Sequence, residues 1–288
     1  MFSWFRRLFG LTEIKEVRKV RDDPFVLWKQ EDLHKELSQM KQTIIEFCQT
    51  EPLRIVLCGA SGAGKSSLVN NIKSALSGKV INIANSGTTE SHLTEQYTEY
   101  TIFSGKTIPS LVVCDTRGLY DKWDHVGMMI KALKGKYAST QNMDPNETSS
   151  MEGRNARTVQ AVFIVFVVDA TMATGQSDVG NITFNSMRSI QNFANKQSIP
   201  MCVVVTKCDK LDAEVSKDMT ELYKSAKVDS ARCKLQEVFQ KLPKNRIFPF
   251  VNNTDLMELT MPMSIHTLYV LKHIVSDIES RMCDVVRQ

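Results

Sequence analysis

The stretch Gly-Ala-Ser-Gly-Ala-Gly-Lys-Ser, residues 59–66, decides the fold of this chain. It follows an apolar run at residues 53–58, which predicts a buried strand, and precedes a helical pattern that continues to about Leu76. Glycines let the backbone curl until successive N–H groups point into one concave space. A strand, a glycine-rich turn and a helix in this order predict a phosphate-binding loop, whereas a chance glycine turn would lack that context.

Each part of this loop has an expected role at a polyphosphate. Lys65 can reach the β- and γ-phosphates, and the Ser66 hydroxyl suits a Mg²⁺ ligand. The helix that follows adds the positive end of its dipole. The side chains of Ala63 and Ser67 are expected to be structural, with only their amides turned towards phosphate. The predicted nucleotide-binding residues of the loop are Gly59, Ser61, Gly62, Ala63, Gly64, Lys65, Ser66 and Ser67.

A carboxylate follows the next apolar run. Residues 115–118 read Asp-Thr-Arg-Gly and come directly after apolar residues 110–114. An acidic residue at the C-terminal end of a parallel strand faces the crevice where such sheets bind ligands. Asp115 is therefore predicted to hold Mg²⁺ through water, and the Gly118 amide to approach the γ-phosphate. Alone, this short motif usually marks a turn, but its place after the second core strand favours a ligand site.

Two threonines in a polar loop complete the predicted γ-phosphate site. Thr88 and Thr89 lie between the helix after the phosphate loop and the next strand. A threonine here can join the Mg²⁺ shell and order its loop only when the third phosphate is present. We favour Thr89 over Thr88, and the alternative is a pair of loop threonines without a ligand. The candidate metal ligands are Ser66, Thr89 and Asp115, and the candidate catalytic residues are Lys65, Thr89 and Gly118.

The base of the nucleotide is expected at residues 206–209, Thr-Lys-Cys-Asp. Asp209 can accept two hydrogen bonds from guanine, one from the ring N–H and one from the exocyclic amine, and adenine lacks that donor pair. The stem of Lys207 can lie along the base while Thr206 braces the loop. The predicted ligand is therefore GTP or GDP with Mg²⁺. The predicted base-binding residues are Thr206, Lys207 and Asp209, with Asn252 and Asn253 from a loop that would close over the base.

Apolar runs alternate with amphipathic helical patterns along the chain. The predicted strands include residues 53–58, 110–114, 161–168, 201–205 and 247–251. These runs are continuously apolar, which predicts strands buried on both faces. Residues 53–288 are therefore expected to form a three-layer α/β/α fold with a mostly parallel central sheet and flanking helices. Residues 97–103 alternate between apolar and polar side chains and predict an edge strand.

Two further segments have a distinct character. Residues 29–52 carry an apolar stripe at helical spacing and predict an N-terminal helix before the first strand. Residues 138–157 are rich in Ser, Thr, Asn and charge and show no periodicity. A loop of this length inside a compact domain is usually a mobile functional loop or disordered, so a mobile loop is expected there.

The net charge of +4 is concentrated at the start of the chain. Residues 1–21 carry six basic side chains against two acidic ones, so the rest of the chain is balanced. A nucleic-acid-binding surface is therefore not expected. Aromatic residues accompany the first arginines in an arm that extends over residues 1–28. This arm either lies on an anionic membrane surface or packs its aromatic side chains against the domain.

The cysteines and the apolar runs indicate the compartment. Seven cysteines are scattered along the chain without a metal-binding spacing, as is typical of a reducing environment. The first residues lack the pattern of a signal peptide, and the longest apolar run is too short to cross a bilayer. The expected location is the cytoplasm.

The motifs together resemble translation-factor-like P-loop GTPases and, more narrowly, the GTPase-like domain of the interferon-induced protein 44 family. The resemblance covers roughly residues 53–282. It implies cytoplasmic guanine-nucleotide binding and a role in innate or antiviral responses. The segments that carry it are residues 59–71, 84–89, 114–119, 134–137, 167–170 and 251–253, with the closing helix.

The residue after Gly118 bears on hydrolysis. Many signalling GTPases place a glutamine there to orient the attacking water, whereas this chain has Leu119. The sequence therefore predicts slow intrinsic hydrolysis, accelerated by a second subunit or partner, with Arg117 and the loop at 138–157 as candidate contributors. The homodimer expected on this basis would form through the nucleotide face. The alternative is a nucleotide-dependent interaction module with little or no hydrolysis, and Asp209 argues against an ATP-using protein.

Overall fold

The structure is a computed structural model, and it describes residues 24, 33–85, 96–104, 109–119, 125–136, 141–142, 161–175, 178–240, 242–252 and 259–286. Expectations for the remaining residues stay predictions. The predicted sites outside the described residues are the arm at residues 1–28 (Pro24 excepted), Thr88, Thr89, Asn253 and the loop at 138–157 apart from 141–142.

Seven strands form one sheet in the described part of the chain, in the order β4-β2-β3-β1-β5-β6-β7. Strands β3, β1, β5, β6 and β7 run parallel, β2 pairs antiparallel with β3 at one side, and β4 pairs antiparallel with β2 beyond it. The mostly parallel sheet expected from the sequence is thereby confirmed. The strands are β1 (Leu53–Gly59), β2 (Gln96–Ser104), β3 (Pro109–Asp115), β4 (Gln141–Asn142), β5 (Ala161–Asp169), β6 (Met201–Thr206) and β7 (Ile247–Pro249).

Helices cover both faces of this sheet, and four of the eight described ones lie between the parallel strands β5, β6 and β7. The helices are α1 (Leu33–Thr50), α2 (Lys65–Ser77), α3 (His125–Leu133), α4 (Ala170–Thr174), α5 (Asp178–Lys196), α6 (Ala213–Lys217), α7 (Ala226–Val238) and α8 (Met261–Val286). None of these described helices is both long enough and apolar enough to cross a membrane.

Two apolar cores lie on opposite faces of the sheet because strand side chains alternate. Ile55 and Leu57 of β1 belong to one core, with buried residues of α1, α2 and α8. Val56 and Cys58, their neighbours in the same strand, belong to the other core, with residues of α3, α5 and α7. All seven residues of β1 are buried. The three-layer α/β/α fold is confirmed.

Three elements differ in detail from the sequence-based expectation. The N-terminal helix ends at Thr50 rather than at residue 52, and its stripe packs into the same core as α8. The strand expected at the edge is β2, but the two-residue strand β4 pairs with it on its outer side. Two residues are too few to show an alternating pattern, so β4 was missed within a segment predicted to be a loop.

Candidate nucleotide-binding site

Two glycines of the phosphate loop adopt a backbone conformation that residues with a side chain rarely adopt. Gly62 and Gly64 have φ values of 69° and 90°, in the left-handed region. A Cβ atom on Gly64 would lie 2.2 Å from Nδ2 of Asn252, so this position excludes a side chain on two grounds. Gly64 is also the N-cap residue of α2. The loop therefore enters the first turn of α2 through a residue that has no side chain.

Lys65 is buried inside the curl of this loop. Its Nζ donates hydrogen bonds to the carbonyl oxygens of Gly59, at 3.2 Å, and Ala60, at 3.0 Å. Burial lowers the pKa of this lysine, and the nearby carboxylate of Asp115 opposes the shift. The ammonium group therefore lies against the backbone of the loop, and its contact with phosphate stays a prediction.

Ser66 and Asp115 meet at the end of β3. The Ser66 hydroxyl donates a hydrogen bond of 2.6 Å to Oδ2 of Asp115. The carboxyl group is only 1% exposed, and burial raises its pKa against the opposing effects of Lys65 and the Ser66 hydrogen bond. Its Oδ1 is buried without a hydrogen-bond partner among the described residues. A buried carboxylate oxygen without a donor beside a hydroxyl is the oxygen-rich chemistry that Mg²⁺ prefers.

This donor set fits Mg²⁺ only together with a phosphate ligand. No group of three or more His, Cys, Asp or Glu side chains that could hold a metal occurs in the described ranges. Mg²⁺ commonly takes one or two protein ligands and completes its shell with phosphate oxygens and water. Ser66 and Asp115 match that pattern.

The segment after Asp115 lies directly on the phosphate loop. A Cβ atom on Gly118 would come within 2.6 Å of the backbone N of Ser61, which only glycine avoids. Leu119 forms an isolated parallel bridge with Ala60, and its N–H donates to the Gly59 carbonyl at 3.1 Å. The Leu119 side chain is 4% exposed and packs in the core.

The base loop begins where β6 ends. Thr206 is fully buried, and its hydroxyl donates to the Ala63 carbonyl at 2.6 Å and lies 3.3 Å from the Val168 carbonyl. It therefore ties the predicted base loop to the phosphate loop. Asp209 is half-buried in the short turn Cys208–Lys210 that follows.

Asn252 follows β7, an edge strand of the sheet, and contacts the phosphate loop. Its side chain is 8% exposed, its Nδ2 lies 3.4 Å from the Gly64 carbonyl, and its Oδ1 accepts a hydrogen bond of 3.3 Å from Asn71. A direct contact of Asn252 with the base stays a prediction, and the structure adds a bracing contact on the phosphate loop.

Three polar residues at the site were missed as site residues from the sequence. Asn70 uses its side-chain oxygen to accept the N–H groups of Ile83 and Ala84, which positions the entry to the segment with Thr88 and Thr89. Asn71 holds Asn252. Asp169 ends β5 and pairs with Lys207 at 2.7 Å. Since the carboxyl ends of parallel strands share one edge, an acidic residue after the third core run was a usable signal.

A family model described as "50S ribosome-binding GTPase" matches residues 54–207. Interferon-induced protein 44 of Pan troglodytes is 27% identical over 201 residues, which are 67% of this chain and 44% of that protein. The protein of the same name in Mus musculus is 26% identical over 189 residues, 62% of this chain and 43% of its own length. The chain thus spans less than half the length of these curated relatives. The matches confirm the resemblance found in the sequence.

Two solved structures are also similar to this chain. A crystal structure of a dimerization-deficient mutant of Toc33 from Arabidopsis thaliana has a TM-score of 0.43 and 15% identity, covering 84% of this chain and 91% of that one. A putative nucleolar GTP-binding protein 1 from Plasmodium falciparum has a TM-score of 0.40 and 18% identity, covering 82% and 94%.

Proposed function

The chain belongs to the family described as 50S ribosome-binding GTPases, whose model matches residues 54–207, and from this premise we propose a slow guanine-nucleotide switch that hydrolyses GTP to GDP and phosphate. GTP binding follows from the family and from the likeness to interferon-induced protein 44. The observation that carries the proposal is the convergence of phosphate loop, Asp115 and base loop at one edge of the sheet, tied by the 2.6 Å bond from Thr206 to Ala63.

Binding of the polyphosphate is proposed to rest on the loop and on the residues at its end. The curled backbone of residues 59–66 presents N–H groups to the phosphate oxygens, and α2 adds its dipole. Lys65 would exchange its bonds to the loop carbonyls for phosphate oxygens. Ser66, Asp115 and Thr89 are the proposed holders of Mg²⁺, which when bound neutralises charge on the β- and γ-phosphates.

Slow hydrolysis is supported by the position of Leu119. This residue occupies the place where many signalling GTPases have a water-orienting glutamine, and its apolar side chain is buried in the core. A group from Arg117, from the loop at 138–157 or from a second copy would then have to complete the site. We propose a homodimer through the nucleotide face as that source, since an arginine supplied in trans contributes about 10³–10⁵ in rate.

A second candidate function is a nucleotide-dependent interaction module with little or no turnover. The buried Leu119 favours it, because nothing at that position activates a water. In this case GTP would set the conformation of the segments around residues 84–92 and 118–157 without being consumed.

Thermal unfolding of the full chain with Mg²⁺ and GDP, GTP, ADP or ATP tests the binding proposal. Ligand at about 100 times its dissociation constant stabilises by roughly 2.7 kcal/mol. The guanine nucleotides are expected to raise Tm and the adenine nucleotides to leave it near the value without ligand. Equal Tm values with and without GDP and GTP would overturn the proposal.

Phosphate release in the same samples separates the switch from the module. The rate per molecule is expected to be slow and to rise with protein concentration. A measurable rate that stays constant over a wide concentration range contradicts the homodimer, and no release at any concentration supports the module.

Location and surroundings are proposed from resemblance and composition. We place the protein in the cytoplasm, in an innate or antiviral response, and we propose that the arm at residues 1–28 touches anionic membrane. Co-sedimentation with anionic liposomes is expected to fall when residues 1–11 are deleted. Equal binding by the deleted chain, or no binding by the intact one, discards the membrane contact.

A further inference from the structure

Asp169, at the end of β5, forms an ion pair with the ammonium group of Lys207 in the base loop. Nζ of Lys207 lies 2.7 Å from Oδ2 of Asp169. The side chains of Lys207 and Asp169 are 28% and 12% exposed, so the pair is better shielded than an ordinary surface ion pair. Asp169 stands opposite Thr206 in the register of β5 and β6. The ion pair therefore joins the last residue of β5 to Lys207, the residue that directly follows the end of β6.

The other oxygen of Asp169 is held by helix α4. Oδ1 accepts hydrogen bonds from the backbone N–H of Thr171, at 2.8 Å, and from its hydroxyl, at 2.7 Å. Burial disfavours ionisation of this carboxyl group, but the hydrogen bonds from Lys207 and Thr171 outweigh it and lower the pKa. The carboxylate of Asp169 is thus charged and held by both Thr171 and Lys207. Because Thr171 fixes its position, Asp169 restricts the movement of the Lys207 ammonium group.

Lys207 has a backbone conformation that lysine rarely adopts. Its φ of 57° is left-handed, and among the described residues Ser198 is the other non-glycine with a positive φ. The left-handed region is unfavourable for a residue with a Cβ, so it persists only where the surroundings hold it. Here the N–H of Cys208 donates to the Phe250 carbonyl and the N–H of Lys210 to the Lys207 carbonyl. Strain maintained in a ligand loop points to a role for the lysine's orientation.

We infer that Asp169 is a positioning residue for the nucleotide base. By anchoring the ammonium group of Lys207, it presets the methylene stem of that lysine as one wall of the base site beside Asp209. The inference rests on the proposed function, because it takes the base to be guanine bound at residues 206–209. An unanchored lysine would have to be ordered when the nucleotide binds, and that ordering weakens affinity.

Asp169 is also the N-cap residue of α4, and it would make the same contacts with Thr171 if its role were purely structural. The test must therefore separate the effect of helix capping from the effect of the ion pair with Lys207. Asparagine caps helices about as well as aspartate but carries no charge. Asp218 offers a matched control, since its Oδ1 accepts from the N–H and the hydroxyl of Thr220, as Asp169 does from Thr171. Asp218 takes part in none of the ion pairs found in the described part of the chain.

Titration of the full chain with fluorescently labelled GDP and Mg²⁺ measures the effect. Asp169→Asn is expected to weaken GDP binding about 3- to 10-fold, the equivalent of ordering one long side chain, and Asp218→Asn to leave it unchanged. Asp169→Asn combined with Lys207→Ala should bind no more weakly than Lys207→Ala alone, because Asp169 acts only through the lysine. Wild-type affinity in Asp169→Asn, or full additivity in the double variant, overturns the inference.

Two further measurements keep the outcome decisive. Inosine diphosphate lacks the exocyclic amine, so Asp169→Asn should weaken GDP and inosine diphosphate by the same factor, and a changed ratio contradicts action through the lysine stem. If Asp169→Asn does not fold, Lys207→Met replaces it, since this variant keeps the stem and removes the anchored charge. The expected loss is again about 3- to 10-fold, and wild-type affinity in Lys207→Met overturns the inference.

Failure of this inference is distinguishable from failure of the proposed function. A wild-type chain that does not bind GDP overturns guanine-nucleotide binding itself. A wild-type chain that binds GDP, with Asp169→Asn binding it equally well, removes only the positioning role.

Discussion

The phosphate half of the site, residues 59–66 with Asp115, is built from one turn of chain and the end of a neighbouring strand. The base half, residues 206–209 with Asn252, is held by side chains that reach across the sheet. Its Thr206 hydroxyl bonds the Ala63 carbonyl, 143 residues away in the chain, and Asn252 bonds Gly64, 188 residues away. The first half depends on backbone conformation, and the second depends on tertiary contacts.

This difference predicts separate failures. Changes in the phosphate half should affect every nucleotide, because all share the polyphosphate. Changes in the base half should alter the choice of purine or the stability of the loop while leaving polyphosphate contacts in place. The four predictions below test that division.

Lys65→Ala should have the largest effect. The variant removes the buried cation of the loop and should weaken GDP, GTP and inosine diphosphate alike, by about 10- to 100-fold. Isothermal titration calorimetry with each nucleotide measures this, with exposed Lys79→Ala as the control. A loss confined to one base would break the division between the halves.

Gly64→Ala should destabilise the protein more than Gly62→Ala. Both residues have a positive φ, which costs about 1–2 kcal/mol for a residue with a Cβ. At Gly64 the added Cβ also lies 2.2 Å from Asn252 Nδ2, whereas at Gly62 nothing lies within 4 Å. Urea unfolding without nucleotide should therefore give a lower midpoint for Gly64→Ala. Equal midpoints would show that Asn252 moves away at no cost.

Asp209→Asn should change base preference and little else. The variant can no longer accept both guanine donors, so GDP should bind about tenfold more weakly while ADP binding is unchanged. The ratio of the two dissociation constants is the measurement. A parallel loss for both nucleotides would place Asp209 in the phosphate half.

Acid should lower the free energy of unfolding through His266, which packs beneath the base loop. His266 is fully buried against Phe250, its Nε2 lies 2.9 Å from the Tyr223 hydroxyl, and burial lowers its pKa to about 3. The unfolded chain takes up a proton near pH 6.5 and the folded chain does not, so stability falls as pH drops from about 6.5 towards 3.

Between pH 7 and pH 6 this one group should lower the free energy of unfolding by about 0.5–1 kcal/mol. Urea unfolding at the two pH values measures the change. His266→Gln should reduce it, and exposed His34→Gln should not. An unchanged pH response in His266→Gln would assign the effect to other groups.

Much of the fold could be predicted from the sequence because its signals are local. Continuous apolar runs predict parallel strands buried on both faces, and β1 and β6 are fully buried. The phosphate loop is likewise a local motif, since the positive φ of Gly62 and Gly64 suits glycine. Strand β4 could not be predicted, because two paired residues leave no pattern.

The base half shows where local signals end. Residues 206–209 could be proposed from their order after a strand, and Asp209 from its chemistry. The bond of Thr206 to Ala63, the bracing of Gly64 by Asn252 and the ion pair of Asp169 with Lys207 join residues distant in the chain. No spacing rule connects such residues.

The sequence by itself determined the layer order, the curl of the phosphate loop and the choice of residues at the strand ends, because backbone preference and side-chain periodicity act over a few neighbours. Only the tertiary structure decided which of those residues touch. In the tertiary structure the Leu119 side chain packs in the core, and Asp169 forms an ion pair with Lys207. One carboxylate oxygen of Asp115 has no hydrogen-bond donor among the described residues. These outcomes depend on how parallel strand ends meet at one edge, which no single segment specifies.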